Sequence, residues 1–328
     1  MITKNTVFIL GAGASADFGF PLGEKLREEI YSNLLKNSVD VTHMAQAFAG
    51  QWKDEIEDYK RAIGKFAGSL RHASDYSIDA FLERFQNTYL KIGKMAIAQV
   101  LVRYENHDRL FEGDNWYKIL VNEMKRDATI DNFHQNKASF VTFNYDRSLE
   151  HFLYTVLCSF HEKASESWAV NVIKQIPIVH LYGKLDPLHW ENSELGKGRT
   201  YGRQYFPAQF KGYKDGIGIV FESIGEETKL NFEKAFALLE AAERIYILGF
   251  GFDAENISRL ELTKLINGKR IILATSYGLD NQRRADILGK LKNVRIFAPD
   301  KIDKNYSEGL GLYPVTAYEF VKKIADLK

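Results

Sequence analysis

The apolar positions of this chain fall into two regimes. A short run at the N-terminus, Thr6 to Leu10, is apolar without alternation and leads directly into Gly11 and Gly13. Such a run suits a parallel strand covered on both faces. Apolar residues then recur at helical spacing: Leu22, Leu26, Ile30, Leu34 and Leu35, then Phe81, Leu82, Phe85, Tyr89 and Ile92, then Leu101, Tyr104, Leu110, Trp116, Ile119 and Leu120. That spacing predicts five or six helices between Pro21 and about Asn136. From Ala138 onward short apolar runs alternate with helical patterns, as βαβ units do. Strands are expected over Ser139 to Phe143, Ile176 to Leu181, Gly218 to Phe221, Arg244 to Leu248, Arg270 to Ala274 and Val294 to Phe297. Helices are expected over Tyr145 to Cys158, Leu230 to Ala242, Glu255 to Leu265 and Asn281 to Leu291.

This pattern predicts an α/β fold: a doubly wound, mainly parallel Rossmann-like sheet of about seven strands with a helical insertion after the first strand. Residues 1–328 form one domain in this reading, with 1–21 and 137–328 as the core and 22–136 as the insertion. Ligands of such sheets sit at the carboxyl ends of the strands. Glycines after the first strand let the backbone approach a phosphate, and the next helix offers unpaired N–H groups and a positive dipole end. A strand-to-helix turn without ligand is the other reading of Gly11 and Gly13. The insertion is placed to close over the site as a cap, although core packing accounts for nearly all of its aromatics.

Composition narrows the classes. With 45% hydrophobic residues, 22 Phe and 17 Tyr in 328 residues, the chain buries a large core. Its 44 basic and 43 acidic residues are interspersed and leave a net charge of +1. Nucleic acid is therefore not indicated as a partner. No apolar stretch is long enough to span a membrane, and no leader pattern stands at the N-terminus, so a cytoplasmic protein is expected. The single cysteine, Cys158, has no partner for an internal disulfide and sits in a helical context.

GAGASADFGFP resembles the sirtuin pattern GAG-x-S-x-x-x-G-x-P, matched at Gly11, Ala12, Gly13, Ser15, Gly19 and Pro21. VTFNYD, with Thr142, Asn144 and Asp146, is similar to the T-x-N-x-D segment of the same superfamily. VHLYGKL, Val179 to Leu185, falls where those proteins end a strand with a His-Gly pair, and RIYILGFGFDAEN, Arg244 to Asn256, looks like their second nucleotide-contacting loop. SIDAFLERF, Ser77 to Phe85, resembles a recurrent piece of the bacterial sirtuin-like branch associated with anti-phage defence.

The resemblance implies NAD as substrate, with Gly249, Gly251 and Asn256 at the adenosine half and Thr275 and Ser276 at the adenine ribose. It also departs from the protein-deacylating sirtuins. One cysteine cannot build their four-cysteine zinc cage, so no metal is expected. Leu22, Gly23 and Glu24 stand where their Asp-Phe-Arg would follow the proline. The implied activity is that of the zinc-free bacterial branch: hydrolysis of NAD to nicotinamide and ADP-ribose, acting in anti-phage defence. A silent NAD or ADP-ribose sensor, an ADP-ribosyltransferase and an NAD-dependent deacylase remain alternatives. Proteins of this type commonly work as homo-oligomers or with a separately encoded partner.

Asn144 is expected beside the reacting ribose, orienting water or holding a hydroxyl. Asp146 has two readings, a ribose or nicotinamide hydrogen-bond acceptor or a cap of the helix that follows. The family's catalytic histidine position is Tyr182 here, and His180 stands two residues earlier. In a regular strand these two share a face, about 7 Å apart at roughly 3.3 Å per residue. His180 is then a candidate general base reaching the pocket from deeper in the sheet. The alternative makes His180 a core histidine with Tyr182, a poor base, in the base position. His189 is a further candidate and reads equally as a loop residue.

Overall fold

The computed structural model describes residues 1–49, 52–75, 77–191, 198–202, 226–298 and 301–328. The expected strand at Gly218 to Phe221 lies outside these residues. Seven parallel strands form one sheet: β1 (Thr6–Leu10), β2 (Ala138–Thr142), β3 (Ile178–His180), β4 (Arg244–Leu248), β5 (Ile271–Thr275), β6 (Val294–Ile296) and β7 (Leu310–Tyr313), in the order β3-β2-β1-β4-β5-β7-β6. The fold is thus the expected Rossmann-like α/β sheet. The order reverses at β1, whose neighbours are β2 on one side and β4 on the other. Ligands of doubly wound sheets bind at that switch point.

Strand alternation explains the two layers. Phe8 and Leu10 enter one core with Phe140, Tyr246 and Leu248, while Val7 and Ile9 enter the other with Ile245, Ile247 and Ala274. All five residues of β1 are buried, which is why its sequence is apolar without alternation. The first layer is built largely from the insertion: α1 (Gly23–Lys36), α2 (Ser38–Ala49), α3 (Lys53–His72), α4 (Ile78–Arg84), α5 (Gln86–Arg103), α6 (His107–Phe111) and α7 (Trp116–Lys125). Side-chain caps start three of these helices, with Ser77, Asn106 and Asn115 each accepting a backbone N–H at 3.1 Å. One continuous core joins Phe66 and Phe81 of the insertion to Phe8 and Phe140 of the sheet. Helices α8 (Ser148–Cys158) and α9 (Glu166–Ile173) complete this layer beyond β2. The second layer holds α10 (Glu226–Ala241), α11 (Ala254–Arg259), α12 (Leu262–Leu265) and α13 (Asn281–Lys290), and α14 (Ala317–Lys323) returns to the first.

Four departures from the pattern have local causes. Seven helices, rather than five or six, fill the insertion among the described residues. The helix expected over Glu255 to Leu265 breaks where Glu261 takes a left-handed φ of 51°. Strand β7 is unexpected because Gly309 and Gly311 dilute its apolar run. A Cβ on Gly311 would lie 2.8 Å from the Leu273 side chain, so this glycine allows close approach to β5. Finally, no α-helix follows the first glycine turn directly. Two short 3₁₀ turns, Ala12–Ala14 and Ala16–Phe18, end at Gly19 with φ 86°, and α1 begins only at Gly23.

Candidate functional site

The two glycine turns meet at the carboxyl ends of β1 and β4, and they meet through backbone. The N–H of Gly11 donates to Leu248 O and that of Gly13 to Gly249 O, both at 2.9 Å. A Cβ on Gly11 would stand 2.5 Å from Gly249 O, and one on Gly249, whose φ is 59°, would stand 2.1 Å from Ala14 N. These three glycines are therefore required by the turns' contact with each other. The Gly11 and Gly13 N–H groups are thus engaged with the second turn. Gly251 differs, since a Cβ there meets nothing within 4 Å.

A cavity of ≈ 220 Å³ opens beside the interlocked turns. Eight of the expected site residues line it: Gly11, Ala12, Ser15, Pro21, Asn144, Asp146, Gly251 and Asn256. Insertion helices supply Leu26, Asp79 and Leu101, so the insertion does form part of the wall. Gly13, Gly19, Thr142, Gly249, Thr275, Ser276, His180 and Tyr182 are not among the lining residues. A larger cavity, ≈ 590 Å³, lies along the edge strand β3 among Ile178, Lys184, Trp190 and Lys234. It holds neither glycine turn and none of the expected site residues.

Asn144 is fixed on three sides. Its Nδ2 donates to Gly11 O at 2.9 Å and to Ser15 Oγ at 3.0 Å, and its backbone N–H donates to Thr142 Oγ1 at 3.0 Å. Its Oδ1 has no hydrogen-bond partner among the described residues. Asp146 is engaged at both oxygens. Oδ2 accepts from Ser15 Oγ at 2.7 Å, and Oδ1 accepts from both the backbone N–H and the hydroxyl of Ser148 at the start of α8. Burial raises its pKa, against the hydrogen bonds from Ser148 and Ser15. Asp146 thus holds the first N–H of α8 and also lines the cavity. Trp116 Nε1 donates to Ala14 O at 2.8 Å and Tyr117 shares a 2.8 Å hydrogen bond with Ser148, so α7 braces the same hub.

His180 and Tyr182 do not share a face. The strand ends at His180, and a turn through Gly183, φ 79°, redirects the chain. The His180 ring is held between Asn144 O at Nδ1, 2.9 Å, and Glu150 Oε1 at Nε2, 2.7 Å. Burial opposes ionisation of Glu150, but His180 and Lys184 beside it outweigh burial and hold its carboxyl well below the usual range. Both ring nitrogens of His180 are thus engaged, and the residue stands behind Asn144, outside the cavity lining. Tyr182 enters the opposite core, donates to Asn256 Oδ1 at 2.8 Å and accepts from Arg259 at 3.0 Å. Burial pushes its hydroxyl up to about 12 despite Arg259. Its hydroxyl orients Asn256, and Tyr182 is not among the cavity-lining residues. His189 packs edge-on against Tyr154, away from the cavity.

The second glycine turn also differs from expectation. Thr275 Oγ1 accepts from Gly249 N at 2.7 Å and so holds the turn, Ser276 is 1% exposed, and neither residue lines the cavity. The Asp253 side chain accepts from the N–H groups of Glu255 and Asn256, which closes the start of α11 to a phosphate. Sequence reasoning missed Asp79. Burial pushes its carboxyl up to about 6, with Asp253 adding to the rise and the Tyr145 hydroxyl opposing it. The only signal was its place inside the SIDAFLERF segment.

No family model and no curated protein sequence matches the chain. Among solved structures it is similar to SIR2 in complex with the inhibitor EX-527, 2'-O-acetyl-ADP-ribose and a deacetylated p53 peptide. Identity is 10% over 97% of this chain and 91% of that one, with a TM-score of 0.36. A likeness of that size carries no argument about function. The protein is a Rossmann-like α/β chain with a cavity at its topological switch point.

Proposed function

We propose that this chain binds NAD in the cavity beside the glycine turns and hydrolyses the bond between nicotinamide and ribose. The observation that carries the reading is Asn144, a side chain locked at the end of β2 with its amide oxygen unpartnered toward a cavity at the switch point. An oxygen so held accepts from a ribose hydroxyl or from the attacking water. Cleavage needs little more than positioning, because the breaking C–N bond leaves its electron pair on the nicotinamide ring nitrogen and neutralises a pyridinium. Water then bonds to the anomeric carbon and gives ADP-ribose and a proton. Gly251, Ala12 and Asn256 are the residues proposed against the rest of the dinucleotide.

A second reading, a sensor that binds NAD or ADP-ribose without cleavage, is favoured by one observation. No histidine is among the described lining residues, and His180 has both ring nitrogens engaged. Purified protein incubated with NAD, with nicotinamide and ADP-ribose followed by chromatography, separates the two. Release of both products, lost in Asn144→Ala, supports hydrolysis; calorimetric binding of NAD without release supports the sensor.

The motif resemblance extends the proposal to NAD depletion during phage infection. Infected cells expressing the chain should lose NAD, and cells expressing Asn144→Ala should not. A homo-oligomer or a separate partner subunit completes the proposal, and light scattering of the purified chain tests the first.

A further inference from the structure

The polar side chains that line the cavity are mostly held by their neighbours. Ser15, Asp146 and Asn256 each hydrogen-bond to residues described above. Asp79 is hydrogen-bonded to the Tyr145 hydroxyl but keeps one oxygen to spare. It stands in the first turn of α4, behind the Ser77 cap, and lines the cavity together with Asn144, Tyr145 and Asp253. Its Oδ1 is buried and has no hydrogen-bond partner among the described residues. A buried oxygen without a partner costs stability and calls for an explanation. A donor carried by a ligand or a bound water supplies one.

Resting on the NAD-cleaving reading, we propose that the Asp79 carboxylate is the general base of the site, accepting the proton of the water that attacks the ribose anomeric carbon. The C–N bond breaks with its electron pair passing to nicotinamide, the water oxygen bonds to the anomeric carbon, and one water proton passes to Asp79 and then to solvent. The base thus comes from the helical insertion and not from the position after β3 that the motif points to. Two groups act on Asp79 from other elements: the acidic Asp253 before α11, and the Tyr145 hydroxyl, which hydrogen-bonds to it. Burial and Asp253 place its titration at about 6, where a carboxylate is both deprotonated at neutral pH and a competent proton acceptor.

The test compares wild type, Asp79→Asn and Asp79→Ala by nicotinamide release across pH and by calorimetric titration with ADP-ribose. In wild type, kcat/KM should rise with pH through about 6 and then level. Asp79→Asn should lose about 10²–10⁴-fold in kcat and the pH-dependent rise, while still binding ADP-ribose. Formate added to Asp79→Ala should restore part of the rate, which a merely structural role would not allow. Wild-type rate and pH profile in Asp79→Asn would overturn the base assignment alone. Loss of ADP-ribose affinity in parallel with rate, without rescue by formate, would also overturn it and make Asp79 a ligand-holding group. A wild type that binds ADP-ribose but releases no nicotinamide would overturn the hydrolysis reading, and the base with it.

Discussion

Glu105 and Asp79 are both acidic residues of the helical insertion with buried carboxyl oxygens, and their surroundings are opposite. Glu105 accepts two parallel hydrogen bonds from Arg147, Nε and NH2, both at 2.8 Å, and pairs with Arg199 NH1 at 2.8 Å. The remaining Arg147 nitrogen donates to the backbone oxygens of Asp186, Pro187 and Arg199. Arg147 and Glu105 side chains are 0% exposed. Asp79 instead has an unpartnered oxygen, a like charge at Asp253, and a cavity beside it. A buried charge with a complete set of partners fixes the chain's path. A buried charge without one leaves hydrogen-bonding capacity for something that is not protein.

Removing Glu105 should have the largest effect on the fold. Glu105→Ala removes the carboxylate shared by two buried guanidinium groups and should cost about 3–5 kcal/mol, read by urea denaturation. Asn144→Ala should have the largest effect on turnover. Loss of one positioned polar group should lower kcat about 10²–10³-fold while melting temperature changes little, which would place Asn144 on the Asp79 side of the comparison.

The glycine turns divide the same way. Gly249→Ala forces a left-handed φ of 59° on an L-residue against Ala14 N, and should cost at least about 1–2 kcal/mol by chemical denaturation. Gly251→Ala enters open space and should change stability by no more than about 0.5 kcal/mol, so any effect on NAD affinity there is a ligand contact.

His180 sits between the two classes. His180→Ala leaves Glu150 buried with Lys184 alone and should cost about 1–3 kcal/mol, with a smaller loss of turnover than Asn144→Ala. An equal loss of turnover at unchanged stability would return His180 to the chemistry.

The smallest effect is a pH dependence. The folded-state pKa of Asp79 is raised from 3.8 to about 6, so its ionised form opposes folding. Relative to Asp79→Asn, wild type should gain stability as pH falls from about 6 toward 3.8, with a constant difference above 6. Thermal melts of the two proteins across that window check the sign.

Much of this was legible in the sequence because burial on both faces leaves an unmistakable mark. Val7–Leu10 and Ile245–Leu248 are runs of buried apolar and aromatic residues, and both strands end where their sequences change to glycine. The T-x-N-x-D segment led to the cavity because Thr142, Asn144 and Asp146 act locally, each bonded within the strand end, the first glycine turn or the next helix. The roles of His180 and Tyr182 were not legible. They depend on a turn at Gly183 that ends the alternation one residue too early for a regular strand. Nor did Asp79 stand out, since an acidic residue in the first turn of a helix looks like an ordinary complement to the helix dipole. Only the arrival of Asp253 and Tyr145 from distant segments gives it a different environment.

The most direct measurement is a crystal structure of the chain with ADP-ribose bound. The account predicts the nicotinamide-side ribose in the cavity beside the glycine turns, with a hydroxyl on Asn144 Oδ1 and the anomeric carbon facing Asp79. ADP-ribose bound along β3 among Lys184, Trp190 and Lys234, with the cavity at the switch point empty, would contradict it.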